Sequence, residues 1–150
     1  MKKIIHFLAF GFGSGLCPIM PGTCGTIIAI PMYLLLANLS LLYYSLILAI
    51  MTIMGFWLCG VTERDLRKHD PASIVWDEIV GFLLTMIAVP INWIWILAGF
   101  GLFRLFDIWK PWPISWVNKN LGGGFGIVID DLLAAVPAAI ILQIIIFTCG

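Results

Sequence analysis

The sequence predicts an all-α, polytopic membrane protein: about five membrane-embedded helices with a re-entrant or interfacial N-terminal loop, forming a single domain over residues 1–150. Three observations predict it. Hydrophobic residues make up 62% of the 150-residue chain and charged residues only 11%, with a mean hydropathy of +1.10, well outside the soluble range. No Asp, Glu, Lys or Arg occurs between Lys3 and Glu63, so residues 4–62 carry no formal charge. The remaining charges are confined to the segments 63–78 and 104–131. Eight basic and eight acidic residues cancel, which gives neither a basic face for nucleic acid nor an acidic tail. The apolar content likewise excludes a disordered chain.

The elements follow in order. Lys2 and Lys3 before an apolar stretch imitate a secretion signal, but no A-x-A-like cleavage site follows and Leu16, not a small residue, precedes Cys17. The segment reads as retained. Gly11, Gly13, Gly15, Pro18, Pro21 and Gly22 make a structured loop leading into a short helix, Gly25 to Ala37, interrupted by Pro31. Leu39 to Val61 is an apolar run of 23 residues, reaching roughly 35 Å as a helix against a hydrocarbon core of about 30 Å. Ile79 to Phe103 carries the turn formers Pro90, Ile91 and Asn92 near its middle. It therefore reads as a helical hairpin with arms Ile79 to Val89 and Trp93 to Phe106, both shorter than a usual span. Leu132 to Cys149 is the last span, with Pro137 and Gln143 tolerated if packed against protein.

With the hairpin, every charged residue faces one aqueous phase, and the turns at 38–40 and 90–92 carry none. A single kinked helix would instead place Lys110 and Lys119 opposite Arg64 and Lys68, and is disfavoured for that reason. The bias of Lys and Arg toward cytoplasmic loops makes the charged side the cytoplasm. Cys17, Cys24, Cys59 and Cys149 show no C-x-x-C spacing and read as small apolar fillers, so neither disulfides nor zinc are expected.

Charge is scarce in such a chain, so its placement is informative. Asp77 and Glu78 open the third span, and Asp130 and Asp131 the last. Arg104 and Asp107, three apart on one helical face, end the fourth span, with Lys110 one turn later. Helix capping by the macrodipole accounts for any one acidic pair. It accounts less well for all of them, because adjacent carboxylates at a membrane boundary repel unless a cation or proton compensates. An oxygen-only cluster suits a hard divalent ion such as Mg²⁺. Arg104 and Lys110 would then bind phosphate, the alternative being headgroup snorkelling. The stretch 11–15 is no nucleotide-binding fingerprint, but its glycines can turn amides toward an anion, with Ser14 and Thr23 adding hydroxyls. Close helix packing is the competing use of those glycines. Gly122, Gly123, Gly124 and Gly126 read as a flexible approach to Asp130. His69, beside Asp70, reads as a solvated loop histidine, the alternative being that it orients a carboxylate or donates a proton.

The ordered set Gly11-Phe-Gly-Ser-Gly-Leu16, Pro21-Gly-Thr23, His69-Asp70, Ile74-Val-Trp-Asp-Glu78, Phe103-Arg-Leu-Phe-Asp107, Lys110-Pro-Trp-Pro-Ile114 and Gly126-Ile-Val-Ile-Asp-Asp131 closely resembles the phosphatidylglycerophosphatase A family. The resemblance runs from about residue 10 to residue 131. It implies a Mg²⁺-dependent, multi-pass enzyme of the bacterial inner membrane that takes a phospholipid substrate. That enzyme removes the terminal phosphate of phosphatidylglycerophosphate on the cytoplasmic side. Cys17 and Cys24 depart from the family pattern, where Ser or another small or apolar residue is expected.

The chemistry suits the constellation. Phosphomonoester hydrolysis is exceptionally slow unaided, and a catalyst must neutralise charge and place a water in line. Asp77, Glu78, Asp130 and Asp131 are the expected metal ligands, with Asp107 a ligand or its neighbour. Arg104, Lys110, Ser14 and Thr23 are the expected substrate contacts. Glu78 or Asp131 is the expected general base. A phosphohistidine mechanism lacks its histidines, and a D-x-D nucleophile is absent. A CDP-alcohol phosphotransferase shares the metal and membrane but its spaced acidic pattern is missing. A cation-transport protein would set its acids at the membrane midplane rather than one boundary.

Overall fold

The computed structural model describes residues 2–67, 73–112, 114–120 and 122–149, and the described residues form helices and turns without strands. The order is α1 (Lys2–Ala9), a 3-10 turn (Ser14–Leu16), α2 (Pro21–Leu36), α3 (Leu41–Leu66), α4 (Trp76–Thr85), α5 (Trp93–Trp109), α6 (Ile114–Asn120) and α7 (Gly123–Cys149). The His69-Asp70 motif lies outside the described residues.

Among the described residues, two helices are long and apolar enough to cross a membrane: α3, with 26 residues, and α7, with 27. That is fewer than the five expected. The hairpin is present, but its arms are short: α4 has 10 residues and α5 has 17. Pro90 has no amide to donate, Ala88 adopts a positive φ of 58°, and α4 stops at Thr85, so its last turn lies inside the protein. Carbonyls at its end and in the turn that follows are taken up by other elements. Tyr44 of α3 donates to the Leu83 carbonyl, Tyr33 of α2 to Val89 at 2.8 Å, and Gln143 of α7 to Ile87 at 2.9 Å. Asn92 then starts α5, its side chain accepting from the Ile94 amide at 3.0 Å.

α4 is the centre of the molecule. It is buried along nearly its whole length and packs against α2, α3, α5 and α7. Glycine makes the close approaches possible: Gly55 lies against Trp76, Gly81 against the Phe103 ring, and Gly99 against the Met86 sulfur. The Trp76 indole donates to the Met51 carbonyl at 3.0 Å, fixing the start of α4 against α3.

α7 begins nine residues earlier than the expected Leu132. The glycine run expected as a flexible approach is its first turn, because Gly124 packs directly on Phe56 and Gly60 of α3, where a methyl group would strike backbone. The Gly123 amide donates to Glu63 at 3.2 Å, which ties the new helix start to α3. α6, which the sequence reading did not anticipate, packs on α7. α2 starts at Pro21 rather than Gly25, since proline at the first helical position sacrifices no bond.

Candidate active site

The charged residues of α4, α5 and α7 converge. Asp77 and Glu78 sit in the first turn of α4, as expected, and Asp77 is 5% exposed. Asp130 and Asp131 lie about two turns inside α7, not at its start, so capping explains neither. They are 3% and 2% exposed. One oxygen from each of Asp77, Glu78 and Asp131 lies within 4.8 Å of the others, and the same holds for Asp107, Asp130 and Asp131. Asp131 belongs to both trios.

Two cations stand against these five carboxylates. Arg104 donates through Nη1 to Asp107 Oδ2, one turn along α5, and the same nitrogen is 4.0 Å from Glu78 Oε1. Lys110, in the left-handed conformation that ends α5, donates to Asp130 Oδ2 at 2.7 Å and lies 3.6 Å from Asp107 Oδ1. Partial burial disfavours its charge, but the hydrogen bond to Asp130 and the field of Asp107 outweigh this, holding the ammonium above the ordinary lysine range. Lys110 therefore stays cationic throughout the physiological range.

The cluster is under-compensated. Asp77 Oδ1, Glu78 Oε2 and Asp131 Oδ2 are buried without a hydrogen-bond partner among the described residues, as is Arg104 Nε. Buried carboxylates in such a state cost several kcal/mol unless something compensates them. All the donors are oxygens, and the carboxylates that carry the unpartnered ones converge on one place, so the residues fit a small hard cation. The unused Arg104 Nε–H fits an incoming anion.

The first loop supports this arrangement. The Val75 amide donates to the Ala9 carbonyl at 2.8 Å, Gly15 packs on the Ser73 carbonyl, and Gly25 packs on Val75. The loop thus braces the segment leading into Asp77 and Glu78. Ser14 serves the loop itself, its hydroxyl donating to the Gly11 carbonyl at 2.8 Å. Thr23 stands half-buried in the first turn of α2. Its neighbour Gly22, which the sequence reading placed only in the loop, touches the site: a methyl there would lie 3.0 Å from both Arg104 Nη1 and Glu78 Oε1. The signal for it was the Pro21-Gly22 pair, a helix start made to fit a crowded neighbour. Beside the cluster lies an apolar cavity of about 330 Å³, lined by Phe106, Pro111, Trp112, Ile114, Leu133, Val136 and Pro137.

Comparisons with known proteins place the chain in a family. A family model described as Phosphatidylglycerophosphatase A matches residues 7–146. The chain is 50% identical over 146 residues to Phosphatidylglycerophosphatase A of Escherichia coli, covering 97% of this chain and 85% of that protein. It is 46% identical over 152 residues to Phosphatidylglycerophosphatase A of Haemophilus influenzae, covering 95% of this chain and 91% of that one. No solved structure matches it. With a family model covering nearly its whole length and two such relatives, the chain belongs to the phosphatidylglycerophosphatase A family.

Proposed function

We propose that the protein is a membrane-bound phosphatase that hydrolyses the terminal phosphomonoester of phosphatidylglycerophosphate, giving phosphatidylglycerol and inorganic phosphate. The family membership supports the reaction. The observation that carries the site is the convergence of the buried Asp77, Glu78 and Asp131 carboxylates, each with an unpartnered oxygen, beside Arg104.

Asp77, Glu78 and Asp131, with Asp130 and Asp107 adjoining, would hold Mg²⁺. When bound, it would supply charge neutralisation for the phosphoryl oxygens and a more acidic water. The protein's own groups supply the rest. Arg104 offers its spare Nε–H to a phosphoryl oxygen, and its link to Asp107 fixes the plane of the guanidinium. Lys110 adds a point charge from the end of α5. The first turn of α2, whose Gly22 lies next to Glu78 and Arg104, would offer the phosphate the Gly22 and Thr23 amides, helix-start donors without an intrahelical acceptor. The Thr23 hydroxyl joins them, and Ser14 shapes the loop behind. Glu78 Oε2, without a hydrogen-bond partner, takes the proton of the attacking water, and Asp131 is the other carboxylate able to do so.

The two long apolar helices support a membrane arrangement to match. α3 and α7 span the inner membrane, and α2 and the α4–α5 hairpin lie within it against them, so that about five helices are embedded. The charged ends face the cytoplasm by their Lys and Arg content. The apolar cavity beside Lys110 lies where the glycerol and upper acyl chain of a bound lipid would rest. Only the headgroup needs to reach the carboxylates.

Phosphate release from phosphatidylglycerophosphate by the purified protein tests this reading. Release is expected with Mg²⁺, to stop with a chelator, and to fall by at least about 100-fold in Asp131→Asn. Metal-independent release, or an unimpaired variant, would overturn it.

A further inference from the structure

Two thiols outside the acidic cluster also converge. Cys17 follows the 3-10 turn and Cys24 sits in the first turn of α2. Both donate to one acceptor, the Ile19 carbonyl, at 3.0 Å from Cys17 Sγ and 3.8 Å from Cys24 Sγ. Sharing that acceptor brings the two thiols to one place. Both residues are half-buried, beside the exposed Leu16, Ile19 and Met20, so a small oxidant reaches them. Cys59 is buried in α3 and Cys149 stands at the end of α7.

We propose that Cys17 and Cys24 form a reversible thiol–disulfide pair, a peroxide-sensitive modification site that controls the position of the α2 start. The neighbouring Cys24 thiol holds Cys17 below the ordinary thiol range, which makes Cys17 the attacking thiolate. It attacks one oxygen of hydrogen peroxide, the O–O bond breaks, and the departing hydroxide takes a proton and leaves as water. The resulting Cys17 sulfenic acid is attacked at sulfur by Cys24. The S–O bond breaks, the S–S bond forms, and the oxygen leaves as a second water. Two thiols lose one electron each, and the two peroxide oxygens gain them.

The bridge closes a ring around Pro21, Gly22 and Thr23. Closing it draws the sulfurs to about 2.05 Å, so the intervening backbone has to move. Gly22 is packed against Arg104 and Glu78 with little space to spare, and a shift there reaches both. This consequence rests on the phosphatase reading, whereas the bridge itself does not.

Two readouts separate them. The reduced full-length protein in detergent micelles is treated with hydrogen peroxide, digested and mapped by mass spectrometry. The expected product is a peptide linked through Cys17 and Cys24, lighter by two hydrogens and restored by dithiothreitol. In Cys24→Ser, the expected product is a Cys17 sulfenic acid trapped by dimedone. Bridges to Cys59 or Cys149 instead, or unmodified Cys17 and Cys24, would overturn the pair. In parallel, phosphate release is expected to fall severalfold on oxidation and to recover on reduction. Cys24→Ser is expected to keep basal release and to resist the loss. Bridged protein with undiminished release would overturn the coupling to Gly22. Reduced protein with no release at all would instead count against the phosphatase reading and leave the mass measurement decisive for the pair.

Discussion

Gly22 sets the tightest constraint on the site. It has no side chain, yet its neighbours are Arg104 and Glu78, and even a methyl group would press on both at 3.0 Å. Gly22→Ala is expected to lower phosphate release about tenfold or more, since small misplacements of positioned groups are costly in catalysis. Circular dichroism is expected to show an unchanged helical fold. Arg104→Lys probes a different property. Lysine keeps the charge but loses the planar fork that meets Asp107 and leaves Nε–H spare. Release is expected to fall at least tenfold with thermal stability nearly intact, and wild-type rates would count against a phosphate-binding Arg104. The acidic residues were legible in the sequence because charge is so rare in this chain. Gly22 was not, because a glycine beside proline reads equally well as a turn until its neighbours from α4 and α5 are known.

The elements show where reading by pattern stops. Pro90 and Asn92 marked the hairpin correctly, but α4 can end at Thr85 because three side chains from other elements donate to the Leu83, Ile87 and Val89 carbonyls at and beyond its end. No local signal encodes a tyrosine 39 positions away. Tyr44→Phe leaves the buried Leu83 carbonyl without that donor, at an expected cost of about 1–3 kcal/mol, measured as a lower unfolding temperature in detergent. The glycines at 122–126 illustrate the converse error. Read as flexible, the run instead holds, at Gly124 against Gly60, the contact that lets α7 approach α3. Gly124→Leu is expected to destabilise the protein more than Tyr44→Phe, because backbone at Phe56 cannot yield. The early start of α7 has a functional consequence as well: it moves Asp130 and Asp131 from the helix end into its body, where rigid backbone holds them facing α4 and α5.

Over the whole molecule, a chain with 11% charged residues gathers five carboxylates and two cations at one end of its helices. The hydrophobic pattern revealed the all-helical class and the longest spans, α3 and α7, but it over-counted the elements that cross alone, because two short arms can share one apolar run. The most direct test of the shared carboxylate centre is metal binding itself. Mn²⁺, a spectroscopic substitute for Mg²⁺, is titrated into the detergent-solubilised protein and the free ion is followed by electron paramagnetic resonance. Saturable binding that Mg²⁺ displaces, weakened strongly in Asp131→Asn because both trios lose a member, is the expected result. Wild-type protein that leaves the Mn²⁺ signal free, or an Asp131→Asn variant that binds as well as wild type, would contradict it.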